Sequence, residues 1–119
     1  MNLSNLKELI YYFSESKLKY LELIGLDVNL WNIYRDTLAS IESAGSGNYR
    51  ALGGYQNNYD GRYQLGSLAK KDAARILGID SLGDDEISRY LFRNNPQLQE
   101  DYLIGFTYAN HSYLISANT

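Results

Sequence analysis

The chain has 119 residues, of which 45% are hydrophobic and 21% are charged, a balance typical of one folded domain rather than a disordered segment. With no cysteine and a single histidine, His111, the composition excludes disulfides, zinc–thiolate sites, cysteine nucleophiles and multi-histidine metal sites. The net charge of −3 leaves no excess of positive charge for a nucleic-acid backbone or an anionic membrane surface. We therefore expect one domain over residues 1–119, without a cofactor, a metal ion or a nucleic-acid partner.

Helical periodicity starts near the N-terminus, where apolar residues recur at steps of three and four from Leu3 to Ile24. Gly25 is well placed to end this helix, so residues 1–25 are predicted as an N-terminal helix that precedes a core of residues 26–119. The first ten residues lack a basic stretch followed by an apolar run, and no segment reaches the roughly 20 apolar residues of a membrane span. We expect neither an export signal nor membrane insertion.

A second helix is predicted from Leu30 to Ser43, ending before Gly45. Its apolar residues follow i, i+3, i+4, i+7, i+8 and i+11, which predicts one stripe facing the core. The stripe consists of Leu30, Ile33, Tyr34, Thr37, Leu38 and Ile41.

The composition changes between Gly45 and Gly66, because these 22 residues carry six of the ten glycines and four of the twelve tyrosines. Helical periodicity disappears over this segment. Asp60 followed by Gly61 is a pair that favours a tight hairpin turn, and tyrosine is common in strands. The segment is predicted to be a small β-hairpin or an ordered loop.

Three further helices are predicted: one from Leu65 to Leu77 before Gly78, one from Ser81 to Asn95, and a last one from about Gln97. Pro96 is expected to stop the second of these. The predicted fold class is α+β and mostly α, with about five helices and a small hairpin or Gly/Tyr-rich loop after the helix that bears Glu42.

Glu42 is the first candidate for chemistry, because the second helix places it in the last turn beside Leu38 and Ile41. The negative end of the helix dipole and partial burial would both raise the pKa of its carboxyl group. A carboxyl group that stays protonated near neutral pH can serve as a general acid. The alternative is a solvated acid at a helix end, which is the usual fate of a glutamate.

Two motifs flank the Gly/Tyr-rich segment: Glu42-Ser43 before it, and a Gly-Arg-Tyr-Gln turn that ends in Gln64 after it. Residues from Ile41 to Gly45 and from Tyr59 to Gly66 resemble the lysozyme-like superfamily, in particular its soluble lytic transglycosylase-type and phage-type modules. In that superfamily a Glu-Ser pair ends a helix and the glutamate is the catalytic acid. A turn with glycine then leads to an apolar or aromatic residue and glutamine.

The resemblance implies cleavage of the β-1,4 bond between N-acetylmuramic acid and N-acetylglucosamine in peptidoglycan, with Glu42 as general acid and no cofactor. The partner would be the glycan strand at the bacterial cell wall, attacked by a phage or bacterial protein. Paired-acid cleavage needs a second carboxylate, for which Asp60 is the candidate, because the predicted hairpin tip would face the helix end that bears Glu42. The alternative is that Asp60 serves only the turn. Lytic transglycosylases manage with one glutamate, since the 6-hydroxyl of the substrate closes an anhydro ring.

Substrate-binding candidates are aromatic side chains that can stack on sugar rings and polar side chains that can bind acetamido and hydroxyl groups. Cross-strand packing is the alternative role for the tyrosines, and capping of backbone groups is the alternative for the polar residues. The segment from Phe106 to Asn110 is similar to the part that lines the cleft in the superfamily. The candidates are Ser43, Tyr49, Tyr55, Tyr59, Tyr63, Gln64, Tyr108 and Asn110.

Two other classes of function remain open on the sequence. One is a non-catalytic module that binds glycan or a protein partner in a phage particle or a secretion apparatus. The other is a purely structural helical adaptor. In either case the chain can be one module of a larger protein.

Overall fold

The computed structural model describes residues 15–43 and 48–117. These residues form five α-helices and one short antiparallel hairpin, which lies between the second and third helices. The prediction of a mostly helical α+β fold, with a small hairpin after the helix that bears Glu42, is confirmed. The helices are α1 (Glu15–Leu23), α2 (Val28–Glu42), α3 (Ser67–Leu77), α4 (Glu86–Arg93) and α5 (Pro96–Ala117); the strands are β1 (Leu52–Gly53) and β2 (Tyr59–Asp60).

Helix α5 forms the centre of the fold, because α1, α3 and α4 all pack against it. Three consecutive residues of α5, Tyr102 to Ile104, are fully buried, as expected of a helix enclosed on all sides. Gly105 brings α3 close, since a Cβ atom at this position would lie 2.9 Å from the carbonyl oxygen of Ala73. None of the helices within residues 15–43 and 48–117 is long and apolar enough to cross a membrane.

The buried face of α2 is not the predicted one. Trp31, Arg35 and Ala39 are buried, a row with spacing i, i+4 and i+8. The predicted apolar stripe faces mostly outward: Ile41, for example, is 73% exposed, and Leu38 is only partly buried. The prediction was wrong because the pattern left out the polar residue Arg35, which is buried with an acidic partner from α5.

Local capping sets several helix boundaries. Asp27 accepts a hydrogen bond from the Leu30 N–H at the start of α2, and Asp85 does the same from Ser88 at the start of α4. Gly78 ends α3 in the left-handed conformation, as predicted. Pro96 begins α5, where a missing N–H and a fixed φ are tolerated.

Two predicted helix starts, those of the first and fourth helices, do not coincide with observed ones. Residues 3–14 of the predicted first helix lie outside the described residues. Gly45, the residue predicted to follow the second helix, also lies outside them. The fourth helix starts at Glu86 rather than Ser81, because Asp85 provides the cap.

The hairpin pairs Leu52 with Asp60 and Gly53 with Tyr59, so the chain reverses over residues 54–58 and not at Asp60. Asp60 instead opens a second turn, which closes when Asp60 and Leu65 exchange both backbone hydrogen bonds, at 3.1 and 2.9 Å. Gly61 has a φ of 86° and lies so close to Gln99 that a Cβ atom would overlap its side-chain oxygen.

Candidate functional site

Glu42 is the last residue of α2, and its side chain is exposed. The buried row of α2 runs through Arg35 and Ala39 to Ser43, which turns the preceding residue toward solvent. The burial predicted for Glu42 beside Leu38 and Ile41 is therefore wrong. The carboxyl group is instead accessible to a ligand that approaches from solvent.

Ser43 closes α2 instead of facing a cleft. Its backbone N–H and its hydroxyl both donate to the carbonyl oxygen of Ala39, at 3.0 and 3.3 Å, and the residue is buried. The geometry therefore supports a capping role for Ser43 and not the predicted role in binding sugar. The Glu-Ser pair thus combines an exposed acid with a buried helix end.

A buried network surrounds Glu100 of α5 and joins three parts of the chain. The hydroxyl of Tyr49 donates to Glu100 Oε1 at 2.9 Å, and the hydroxyl of Tyr63 lies against both carboxylate oxygens, 2.8 Å from Oε2. The guanidinium of Arg35 lies 3.0 Å from Oε1, and that of Arg62 lies 3.7 Å from it. Sequence reasoning did not single out Glu100, Arg35 or Arg62 as site residues.

The two tyrosines of this network hold their protons tightly. Burial, with the nearby charge of Glu100, raises the pKa of Tyr49 to about 12 and raises the pKa of Tyr63 as well. Both hydroxyls therefore remain donors at neutral pH. Tyr63 is buried and Tyr49 is partly buried, which does not suit the predicted stacking of their rings on sugars. Their hydroxyl groups instead donate to Glu100.

Arg62 fastens the second turn to α2. Its guanidinium lies 2.9 Å from Asp36 Oδ1, and its backbone N–H donates to the side-chain oxygen of Gln99 at 2.9 Å. The side-chain nitrogen of Gln99 in turn donates to the carbonyl oxygens of Tyr49 and Phe92, at 2.9 and 2.8 Å. The helix that bears Glu42 is consequently tied to both the Gly/Tyr-rich segment and α5.

Asp60 is fully buried and has three cationic partners. Its oxygens lie 2.6 Å from Lys70 Nζ, 2.8 Å from Arg89 Nε and 2.7 Å from an Arg93 guanidinium nitrogen. Burial acts to raise the pKa of Asp60, but the hydrogen bonds from Arg89, Lys70 and Arg93 outweigh it and hold that pKa below its usual value.

This cluster gives Asp60 a different place from the one predicted. It does not lie at an exposed hairpin tip facing Glu42, and its carboxylate joins β2 to α3 and α4. A role as second catalytic acid would require an accessible carboxylate, which the cluster does not offer.

The other candidate residues are not gathered beside Glu42 by any described contact. Tyr59 is partly exposed and rests on two glycines, and Gln64 donates to the Gly61 carbonyl oxygen at 2.9 Å, its backbone at a φ of 51°. Tyr108 packs edge-on against Tyr20, with ring centroids 5.2 Å apart. Asn110 is exposed. The side chain of Tyr55 lies outside the described residues.

No family model, no curated protein and no solved structure matches this chain. The lysozyme-like resemblance therefore stays a prediction that depends on the motifs themselves.

The sequence contains one signal for the burial of Arg35, which belongs to the Glu100 network. Arg35 lies four residues after Trp31 and four before Ala39, so a helix that buries the only tryptophan also buries Arg35. A buried arginine requires an acidic partner. The identity of that partner could not be read from α2, because Glu100 is 65 residues away along the chain.

Proposed function

We propose that the chain is a peptidoglycan-cleaving glycosidase in which Glu42 protonates the glycosidic oxygen between N-acetylmuramic acid and N-acetylglucosamine. The observation that carries the proposal is the placement of Glu42. Its carboxyl group is exposed, while the helix that bears it is held by a buried ion pair of Arg35 with Glu100 and by an ion pair of the exposed Asp36 with Arg62. A general acid must be accessible to the substrate, and an anchored helix fixes the position of the backbone that carries it.

The chemistry needs only one acid from the protein. As the bond between the anomeric carbon and the leaving oxygen breaks, the Glu42 proton moves to that oxygen, and an oxocarbenium-like transition state forms. Either water or the 6-hydroxyl of the same sugar then attacks the anomeric carbon and returns a proton to Glu42. This one-acid route agrees with the engagement of Asp60 by Lys70, Arg89 and Arg93.

The first test compares the loss of turbidity of purified cell walls with wild type and with Glu42→Gln. We expect the variant to lose about 10²- to 10⁴-fold in rate, the usual contribution of a general acid. Its free energy of unfolding should stay within about 0.5 kcal/mol of wild type, because the side chain is exposed. Glu22→Gln, at an exposed glutamate of α1, is the matched control and should keep full activity.

Equal rates for wild type and Glu42→Gln would remove Glu42 as the acid. The mass of the released muropeptides identifies the attacking group, since anhydro products are lighter than hydrated ones by one water. Lysis that Glu42→Gln abolishes would support the proposal with either product.

A second candidate is a non-catalytic module that binds glycan. It is favoured by the spread of the candidate residues, since no described contact places the exposed Tyr59 or Asn110 beside Glu42. Saturable binding of chitooligosaccharides without any lysis by the wild type would select this candidate.

A further inference from the structure

A groove of about 470 Å³ opens between the hairpin, the start of α3 and the start of α4. Its volume falls in the range of roughly 300–1,000 Å³ that small-molecule sites occupy. None of its lining residues belongs to α2, so the groove is separate from the helix that bears Glu42. The lining residues are Asn58, Tyr59, Asp60, Gly66, Ser67, Leu68, Ala69, Lys70, Asp84 and Arg89.

The large apolar side chains that line the groove are Tyr59 and Leu68, which are 41% and 78% exposed. The Tyr59 ring lies directly on Gly54, where a Cβ atom would overlap it, and beside Gly66, where a Cβ atom would lie 3.0 Å away. The missing side chains at these two glycines let the ring lie against the backbone, while a large part of it remains open to solvent. An exposed aromatic ring suits the apolar face of a sugar ring.

The charges around the groove cancel. Lys70 and Arg89 are both engaged by Asp60, and Arg93 completes that cluster. The negative charges of Asp84 and Glu86 also act on Arg89. Two cationic and two anionic side chains line the groove itself, so it has no net charge to select an ionic ligand.

Hydrogen-bonding groups of both kinds surround the aromatic ring. The hydroxyl of Ser67 donates to the Asp84 carboxylate at 2.9 Å, and Asn58 contributes an exposed amide. Gly66 precedes α3 without a side-chain cap, so backbone N–H groups at the start of α3 add donors. Mixed donors and acceptors beside an aromatic ring match a neutral, polyhydroxylated ligand.

We propose that this groove is a glycan subsite that takes an uncharged N-acetylated sugar. The choice of glycan depends on the proposed function: in peptidoglycan the uncharged sugar is N-acetylglucosamine, whereas N-acetylmuramic acid carries the lactyl group that bears the peptide. Tyr59 is the stacking residue, and Asn58 and Asp84 bind polar groups of the sugar.

The test is a titration of the full chain carrying Glu42→Gln with chitotetraose, followed by amide chemical shifts in NMR spectra. We expect shifts at Ser67, Leu68 and Ala69 at the edge of the groove. Tyr59→Ala should weaken binding about 3- to 10-fold, the loss expected for one aromatic contact. Tyr59→Phe keeps the ring and should bind within about 2-fold of the parent chain.

Tyr90→Ala is the matched control, because Tyr90 is 59% exposed on α4 and does not line the groove. It should leave the affinity unchanged. Should Tyr59→Ala fail to fold, Leu68→Ser removes the other apolar surface at a highly exposed position and should also weaken binding.

Outcomes for the groove and for Glu42 are separable. Binding that shifts no amide of residues 66–69, or that survives both Tyr59→Ala and Leu68→Ser, overturns the groove proposal even if Glu42 supports lysis. Shifts in the groove that Tyr59→Ala weakens support the proposal. They do so even if wild type fails to lyse cell walls, in which case the glycosidase proposal alone falls.

Discussion

Asp60 and Glu100 are both buried carboxylates, yet their surroundings differ. Asp60 faces three cations, two of which keep 20% and 17% of their side chains exposed. Glu100 has one close arginine, a second arginine shared with Asp36, and two tyrosine hydroxyls. Within the direct ion pairs, the Asp60 cluster sets three cations against one carboxylate, whereas the Glu100 cluster sets two arginines against Glu100 and the exposed Asp36.

Each of the two carboxylates fastens a different part of the fold. Asp60 joins the hairpin to α3 and α4, whereas Glu100 joins α2 and the Gly/Tyr-rich segment to α5. Neither is accessible, in contrast to Glu42. The two buried acids therefore hold the scaffold, and of these three carboxylates only that of Glu42 is exposed.

The largest effect is expected from Asp60→Asn, which leaves three cations without their shared anion. Removing one partner of a buried ion cluster costs about 3–5 kcal/mol. Denaturant unfolding at pH 7 measures this loss, and Asp80→Asn at an exposed aspartate is the control, expected within about 0.5 kcal/mol of wild type. A loss below 1 kcal/mol for Asp60→Asn would contradict the assigned role of the cluster.

The difference in stability between wild type and Asp60→Asn should also depend on pH. The pKa of Asp60 is lower in the folded protein than its ordinary value of 3.8, so its contribution is fully present above pH 3.8 and is lost as the pH falls through the folded pKa. The stability gap between wild type and Asp60→Asn should stay constant from pH 7 to about 5 and shrink below about 4. A gap that already closes near pH 6 would show that the cluster is not held by an ionised Asp60.

A smaller loss, about 3 kcal/mol, is expected for Glu100→Gln, because it removes an anion that is close to one arginine, whereas Asp60→Asn removes an anion that three cations share. The amide oxygen can still accept from a tyrosine hydroxyl, and Arg62 keeps Asp36 while Arg35 keeps Asn32 as partners. Unfolding at pH 7 beside Asp60→Asn tests the ranking directly. If Glu100→Gln were the more damaging of the two, charge balance would not be what distinguishes the clusters.

The smallest effect is expected for Tyr49→Phe, which removes one hydrogen bond to Glu100 and should cost about 1 kcal/mol. The pKa of Tyr49 is raised from 10.0 to about 12, so this contribution is complete below pH 10 and is lost as the pH rises through the folded value. The difference in ultraviolet absorbance between wild type and Tyr49→Phe should show this tyrosine ionising near pH 12. Ionisation near pH 10 in folded protein would contradict the buried contact.

The residues of the Gly/Tyr-rich segment show how far prediction from sequence extends. Its glycines and tyrosines correctly indicated a hairpin, but the reversal falls at residues 54–58. Asp60 is followed by the turn-forming residue Gly61, as the motif suggested. Its side chain, however, forms ion pairs with Lys70, Arg89 and Arg93 from other elements. Turn chemistry is local, whereas the partners of a carboxylate depend on how helices dock.

The sequence by itself determined the order of the elements, because caps such as Asp27, Asp85 and Gly78 act through their immediate neighbours. Only the tertiary structure decided which face of α2 is buried, and with it the exposure of Glu42. Burial of Arg35 is favourable only with Glu100, which is 65 residues away, and no local pattern encodes that pairing.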